Sequence, residues 1–148
     1  MKKFIKVLLV VCMLLGVFTC TACTGDEGEV TLIVVDGANV TYTVDTTGSE
    51  MTTLQDLLDY LEKSEEYEFS YSESAGMLEE VNGATYKWNE EPYKWWAIYT
   101  DAKVGDIPYY DNSWGTVTVL EKEYGSASQG ISDLPLTSGA TYILAVQG

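Results

Sequence analysis

Residues 30–61 read VTLIVVDGANVTYTVDTTGSEMTTLQDLLDYL, and within them the hydrophobic period changes from two to 3.6. The first six residues, VTLIVV, form an almost unbroken apolar run. Residues 39–45 (NVTYTVD) alternate strictly, with Val40, Tyr42 and Val44 on one face and Asn39, Thr41 and Thr43 on the other. Asp36-Gly37 between the two runs is a hairpin signal. Beyond Gly48, Leu54, Leu57, Leu58 and Leu61 fall at i, i+3, i+4 and i+7, and Thr52 with Gln55 reads as a capping box. One amphipathic helix is predicted, from residue 53 to about residue 64. A helix this short takes most of its stability from tertiary packing, so its leucine stripe must lie on a sheet.

From Tyr67 onward the period is again two, and short strands are expected at 68–72, 77–81, 85–88, 93–100, 116–120 and 141–146. Turn residues separate them: Gly76, Asn82-Gly83, Glu90-Glu91-Pro92, then 105–112, 125–130 and Ser138-Gly139. The expected fold class is α+β, a small domain in which a single helix covers a mixed or antiparallel sheet. There is no internal repeat.

The 148 residues make about one domain. The chain has no His and no Arg, which removes the Ser-His-Asp triad, the Cys-His pair, His-liganded metals and the bidentate guanidinium clamp on phosphate. Eight Lys stand against 23 Asp and Glu, a net charge of −15, so nucleic acid is excluded as a partner by repulsion from its phosphates.

The N-terminal residues read as an address. Lys2, Lys3 and Lys6 precede an apolar run of 12 residues, 7–18, and then the small polar stretch 19–23. A bilayer span needs about 20 residues, so this is a signal peptide and not a membrane helix. Its end, Cys20-Thr21-Ala22-Cys23, resembles the lipobox of bacterial lipoproteins, in which a small residue precedes a Cys that is acylated and becomes the mature N-terminus. Residues 1–22 are thus expected to be a lipoprotein signal peptide, Cys23 the lipidation site, 23–29 a short tether and 30–148 the domain. The competing assignment is an ordinary secretory peptide cut near Ala22. Without residues 1–22 the charge is −18, and apart from the acylated Cys23 no thiol remains. The expected location is the outer face of a bacterial membrane, within roughly 20 Å of it by tether length.

The order of the remaining pieces resembles a known family. A hairpin, then TLQDLLDYL, MLEEVNG, YKWWAIYTDA and finally GISDLPLTSGATYILAV are similar to the transcobalamin-like C-terminal domain family of bacterial lipoproteins, over residues 30–146. The most telling residues are Val81-Asn82-Gly83, Trp95-Trp96 with Tyr99, and Gly130, Leu136, Gly139 and Tyr142. The resemblance implies a β-grasp-like domain. In the vertebrate cobalamin carriers a related domain closes over a corrinoid held against a separate helical barrel, which this chain lacks, as it lacks a His to ligate cobalt.

Eight aromatics fall within 27 positions: Trp88, Tyr93, Trp95, Trp96, Tyr99, Tyr109, Tyr110 and Trp114. Alternation sends Tyr93, Trp95, Ala97 and Tyr99 to one face and Lys94, Trp96 and Ile98 to the other. Trp95, Trp96 and Tyr99 are expected in the core. Trp88, Tyr93, Tyr109, Tyr110 and Trp114, in or beside loops, are the candidate ligand-binding residues, because exposed rings stack on sugars and flat ligands. Glu90 and Glu91 are adjacent on an extended chain, point to opposite sides and cannot face each other as a glycosidase pair. Asp101, Asp106, Asp111 and Asn112 could offer oxygens to Ca²⁺, but their spacing is not that of an EF-hand. No catalytic residue, metal site or cofactor is assigned. The sequence points to a non-catalytic cell-surface lipoprotein that binds a glycan or a flat cofactor-like molecule, a corrinoid among them. The alternative is a structural or protein-interaction module with no small-molecule ligand and a protein partner that the sequence does not name.

Overall fold

The structure, a computed structural model, describes residues 28–148. Cys23, the expected signal peptide and most of the expected tether lie outside the described residues.

Strand β1 (Glu29–Asp36) turns at Gly37 into β2 (Ala38–Asp45), with Asp36 opposite Ala38 and Gly37 at φ +72°. That left-handed value is open to glycine without a Cβ penalty. Helix α1 (Leu54–Lys63) follows. Its N-cap is Thr53, one residue later than expected: the Thr53 hydroxyl accepts from Asp56 N at 3.3 Å, and the Asp56 carboxylate accepts from Thr52 N and Thr53 N at 2.8 and 2.9 Å. Two further first-turn amides, which no helical turn can satisfy, donate to the 131–134 turn: Leu54 N to Leu134 O at 2.8 Å and Gln55 N to Ile131 O at 2.9 Å.

The rest is strand: β3 (Tyr71–Ser74), β4 (Met77–Val81), β5 (Ala84–Thr85), β6 (Trp95–Thr100), β7 (Lys103–Val104), β8 (Ile107–Pro108), β9 (Tyr110–Val119), β10 (Lys122–Ala127) and β11 (Thr141–Gln147). Six of the strands form one mixed sheet in the order β2-β1-β11-β6-β10-β9, with β1 and β11 parallel and the other neighbours antiparallel. A three-stranded sheet, β3-β4-β5, and the β7–β8 hairpin stand beside it.

This corrects the α+β expectation. The domain is mostly β, with one ten-residue helix among the described residues. Two segments read as loops are strands. β9 begins at Tyr110 instead of 116, and β10 occupies 122–127, running into the 125–130 segment that was expected to be a turn. Their connection, Leu120-Glu121, has φ of +51° and +65°, the conformation of a two-residue primed hairpin turn built without the usual Asn or Gly. No turn signal marked it. Conversely, the strand expected at 85–88 ends at Thr85, and that expected from 93 begins at Trp95.

Both faces of the sheet are covered. On the helix side, Leu54, Leu57, Leu58 and Leu61, all fully buried, pack with Val30, Leu32, Tyr142, Leu144 and Trp96. Each such leucine contributes roughly 1.5–3 kcal/mol of burial free energy. On the other side a second cluster joins Ile33, Tyr99, Ile143 and Ala145 to Val119 and Tyr124 of the β9–β10 hairpin. This two-sided burial explains why β1 and β11 are nearly continuous apolar runs while β2, at the edge, alternates.

Candidate functional site

Strand β6 forms part of an open groove in the surface. Trp96 points to the helix side and is buried; its Nε1 donates to Ala84 O at 3.1 Å and its ring meets Tyr86 edge-on at 5.7 Å. Tyr86 is held in turn by Asp36, whose carboxylate accepts from the Tyr86 hydroxyl at 3.1 Å and pushes its pKa up. Trp95, one residue earlier, takes the opposite direction and is 44% exposed. It was expected in the core; alternation along β6 puts it on the Tyr99 face, but at the end of the strand away from Tyr99 and Thr100, where the β9–β10 hairpin pairs.

Around these rings lies an open groove of about 790 Å³. Residues 95–98 of β6 form one wall, and residues 126–127 of β10 with Gln129 and Gly130 form the facing one. Met77, Leu78 and Glu79 of β4 and residues 86–90 complete it. The 86–90 segment is a tight turn: Glu90 N donates to Lys87 O at 3.2 Å, Tyr93 N donates to Glu90 O at 2.6 Å, and the Lys87 ammonium lies 3.5 Å from the Glu90 carboxylate. It holds Trp88, 63% exposed, over the groove. The lining is therefore aromatic and apolar, with amide, hydroxyl and carboxylate groups at its rim.

The five candidate ligand residues are not brought together. Trp88 lines the groove, whereas Tyr93 is exposed in the turn beside it and outside its lining. Tyr109 is half-buried against the helix-side core. Tyr110 starts β9, with Lys103 Nζ 6.0 Å from its ring centroid. Trp114 stands exposed on β9, the far edge strand, where the ladder register jumps between Thr116 opposite Gly125 and Asp111 opposite Ser126. Of the expected core trio, Trp96 and Tyr99 are buried, on opposite faces. Met77, Glu79, Tyr86, Ile98 and Gln129 join the groove without having been singled out, because only the packing of β4 against β6 places them there.

Two of the three acidic residues of 101–112, Asp101 and Asp111, are used within the fold. Asp101 accepts from Thr141 N at 2.7 Å and pairs with Lys122, which raises the lysine's pKa. Asp111 accepts from the Ser113 amide and hydroxyl at 2.8 and 2.6 Å, which lowers its pKa. Among the described residues no group of three or more Asp, Glu, His or Cys is placed to hold a metal ion, and no helix is long and apolar enough to cross a membrane.

No family model and no curated protein sequence matches the chain. A likeness exists among solved structures. A Ruminococcus gnavus protein whose name proposes metal binding, crystallised at 1.30 Å resolution, superposes with a TM-score of 0.48 at 14% identity, covering 82% of this chain and 97% of its own.

Proposed function

We propose that this chain is a lipoprotein, acylated at Cys23 and displayed on the outer face of a bacterial membrane, whose domain captures a ligand in the β6–β10 groove without catalysing a reaction. The observation that carries the binding role is the pair of exposed indoles, Trp88 and Trp95, that line the groove together with the buried Trp96. Large rings kept in water cost hydrophobic free energy, and a concave setting gives them something to cover. The turn at 86–90 is held by its own hydrogen bonds, so little ordering entropy is lost when a ligand arrives.

Two measurements test this. Metabolic labelling with a clickable fatty acid should mark the wild-type chain and not Cys23→Ala; equal labelling removes the anchor. Indole emission should shift on titration with at least one member of a panel of glycan oligomers, a corrinoid and short peptides, and Trp88→Ala with Trp95→Ala should abolish the shift. Unchanged emission across the whole panel at millimolar concentration would sink the binding role.

A further inference from the structure

The groove exists because the sheet opens there. β10 pairs with β6 through only two residues, Gly125 opposite Thr100 and Ser126 opposite Tyr99. Beyond Ser126 it leaves β6 and stays with β9, Ala127 opposite Tyr110. Residues 95–97 of β6 therefore have a ladder on one side alone, to 145–147 of β11, and residue 98 is the last that β10 touches. Their other side faces the groove. Along a strand successive residues aim their N–H and C=O to opposite edges, so two of these four residues direct both groups into the groove. Asp101 N donates to Thr141 O, which sets the odd-numbered residues of β6 toward β11 and makes Trp96 and Ile98 the two that face the groove. The Ser126–Tyr99 pair engages the Ile98 C=O with Ala127 N, and the Trp96 N–H and C=O and the Ile98 N–H have no turn, loop or side-chain partner among the described residues.

We propose that the groove accepts an extended, basic polypeptide segment of a partner protein, which adds to β6 as a strand. This rests on the groove being the binding site and names what occupies it. The unpaired groups recur every two residues, about 6.8 Å along the strand, a spacing that another extended backbone matches in register. A sugar or flat ring system can stack on Trp88 but leaves that edge unpaired. Alternate side chains of the added strand would fall on the side floored by Trp96 and Ile98, giving specificity for apolar residues at every second position.

Charge selects the partner. Glu79 lines the groove and makes no ion pair among the described residues, while Lys87 is already matched by Glu90. The whole chain carries −15. A second copy of this chain would bring the same negative charge to the groove, whereas a segment with Lys or Arg at the outward positions meets an attractive field.

The test uses the mature chain in detergent with three blocked hexapeptides: alternating Lys-Val, alternating Glu-Val, and the Lys-Val peptide N-methylated at every second residue. Calorimetry and amide hydrogen exchange are the readouts. The Lys-Val peptide should bind, slow exchange at residues 95–98 by at least about ten-fold, and lose about ten-fold in affinity on N-methylation along the pairing edge, the effect of roughly 1.4 kcal/mol of lost hydrogen bonding. The Glu-Val peptide should bind at least about ten-fold more weakly. Equal binding of the N-methylated peptide, or binding without protection at 95–98, overturns strand addition. If a glycan or the corrinoid shifts the emission of Trp88 and Trp95 and no peptide binds, the peptide assignment fails and the groove stands as a binding site. If no ligand of any class binds, both fail.

Discussion

Trp95 and Trp96 are neighbours in sequence and opposites in environment. The pleat of β6 buries one indole and leaves the next in water. Trp96 anchors the β4–β5 unit to the sheet through its bond to Ala84 O and its contact with Tyr86. Trp96→Ala should therefore cost about 3–5 kcal/mol in urea unfolding; Trp88→Ala, at an exposed turn, should stay within about 0.5 kcal/mol. Similar losses at the two sites would mean that Trp88 is a packing residue. The alternation was legible in YKWWAIY, and it put the two indoles on opposite faces. Which of them is buried was not legible, because it depends on how far α1 covers one face and the β9–β10 hairpin the other.

At the scale of elements, α1 was the clearest feature of the sequence, and its leucine stripe lies where the period placed it. The cap moved from Thr52 to Thr53 because an Asp at the third helical position, not Gln55, completes the reciprocal bond. Thr53→Ala should cost about 1 kcal/mol. The Asp56 carboxylate is stabilised by the amides of Thr52 and Thr53, which lower its pKa. Its contribution is complete above the unfolded value of about 3.9 and is withdrawn as pH falls through the lower folded value. In Asp56→Asn the loss of stability on acidification below about pH 4 should be shallower than in wild type; an identical slope would remove the role of this carboxylate. β10 was the least legible element, since its glycine read as a loop. Gly125 is small for another reason: a Cβ there would collide with the side chains of Tyr110 and Asn112. Gly125→Ala should destabilise the domain by about 1–3 kcal/mol through overpacking, and an unchanged urea midpoint would show that β9 can yield.

The molecule as a whole is held together against its own charge. With −15 on the chain and three ion pairs among the described residues, unscreened repulsion opposes the compact state. The melting temperature should rise between about 10 and 150 mM NaCl, as the Debye length falls from roughly 30 to 8 Å; a fall would show that attractive surface pairs dominate instead. The absence of His and Arg, the apolar run of β1 and the amphipathic α1 follow from composition and short-range period. They determined that the domain has a core sheet with a helix laid on it and lacks imidazole or guanidinium chemistry. Only the tertiary structure decided that β10 parts from β6 after two pairs and leaves an open strand edge beside exposed indoles. Pairing register is set by contacts between residues distant along the chain, and no local pattern records where a ladder stops.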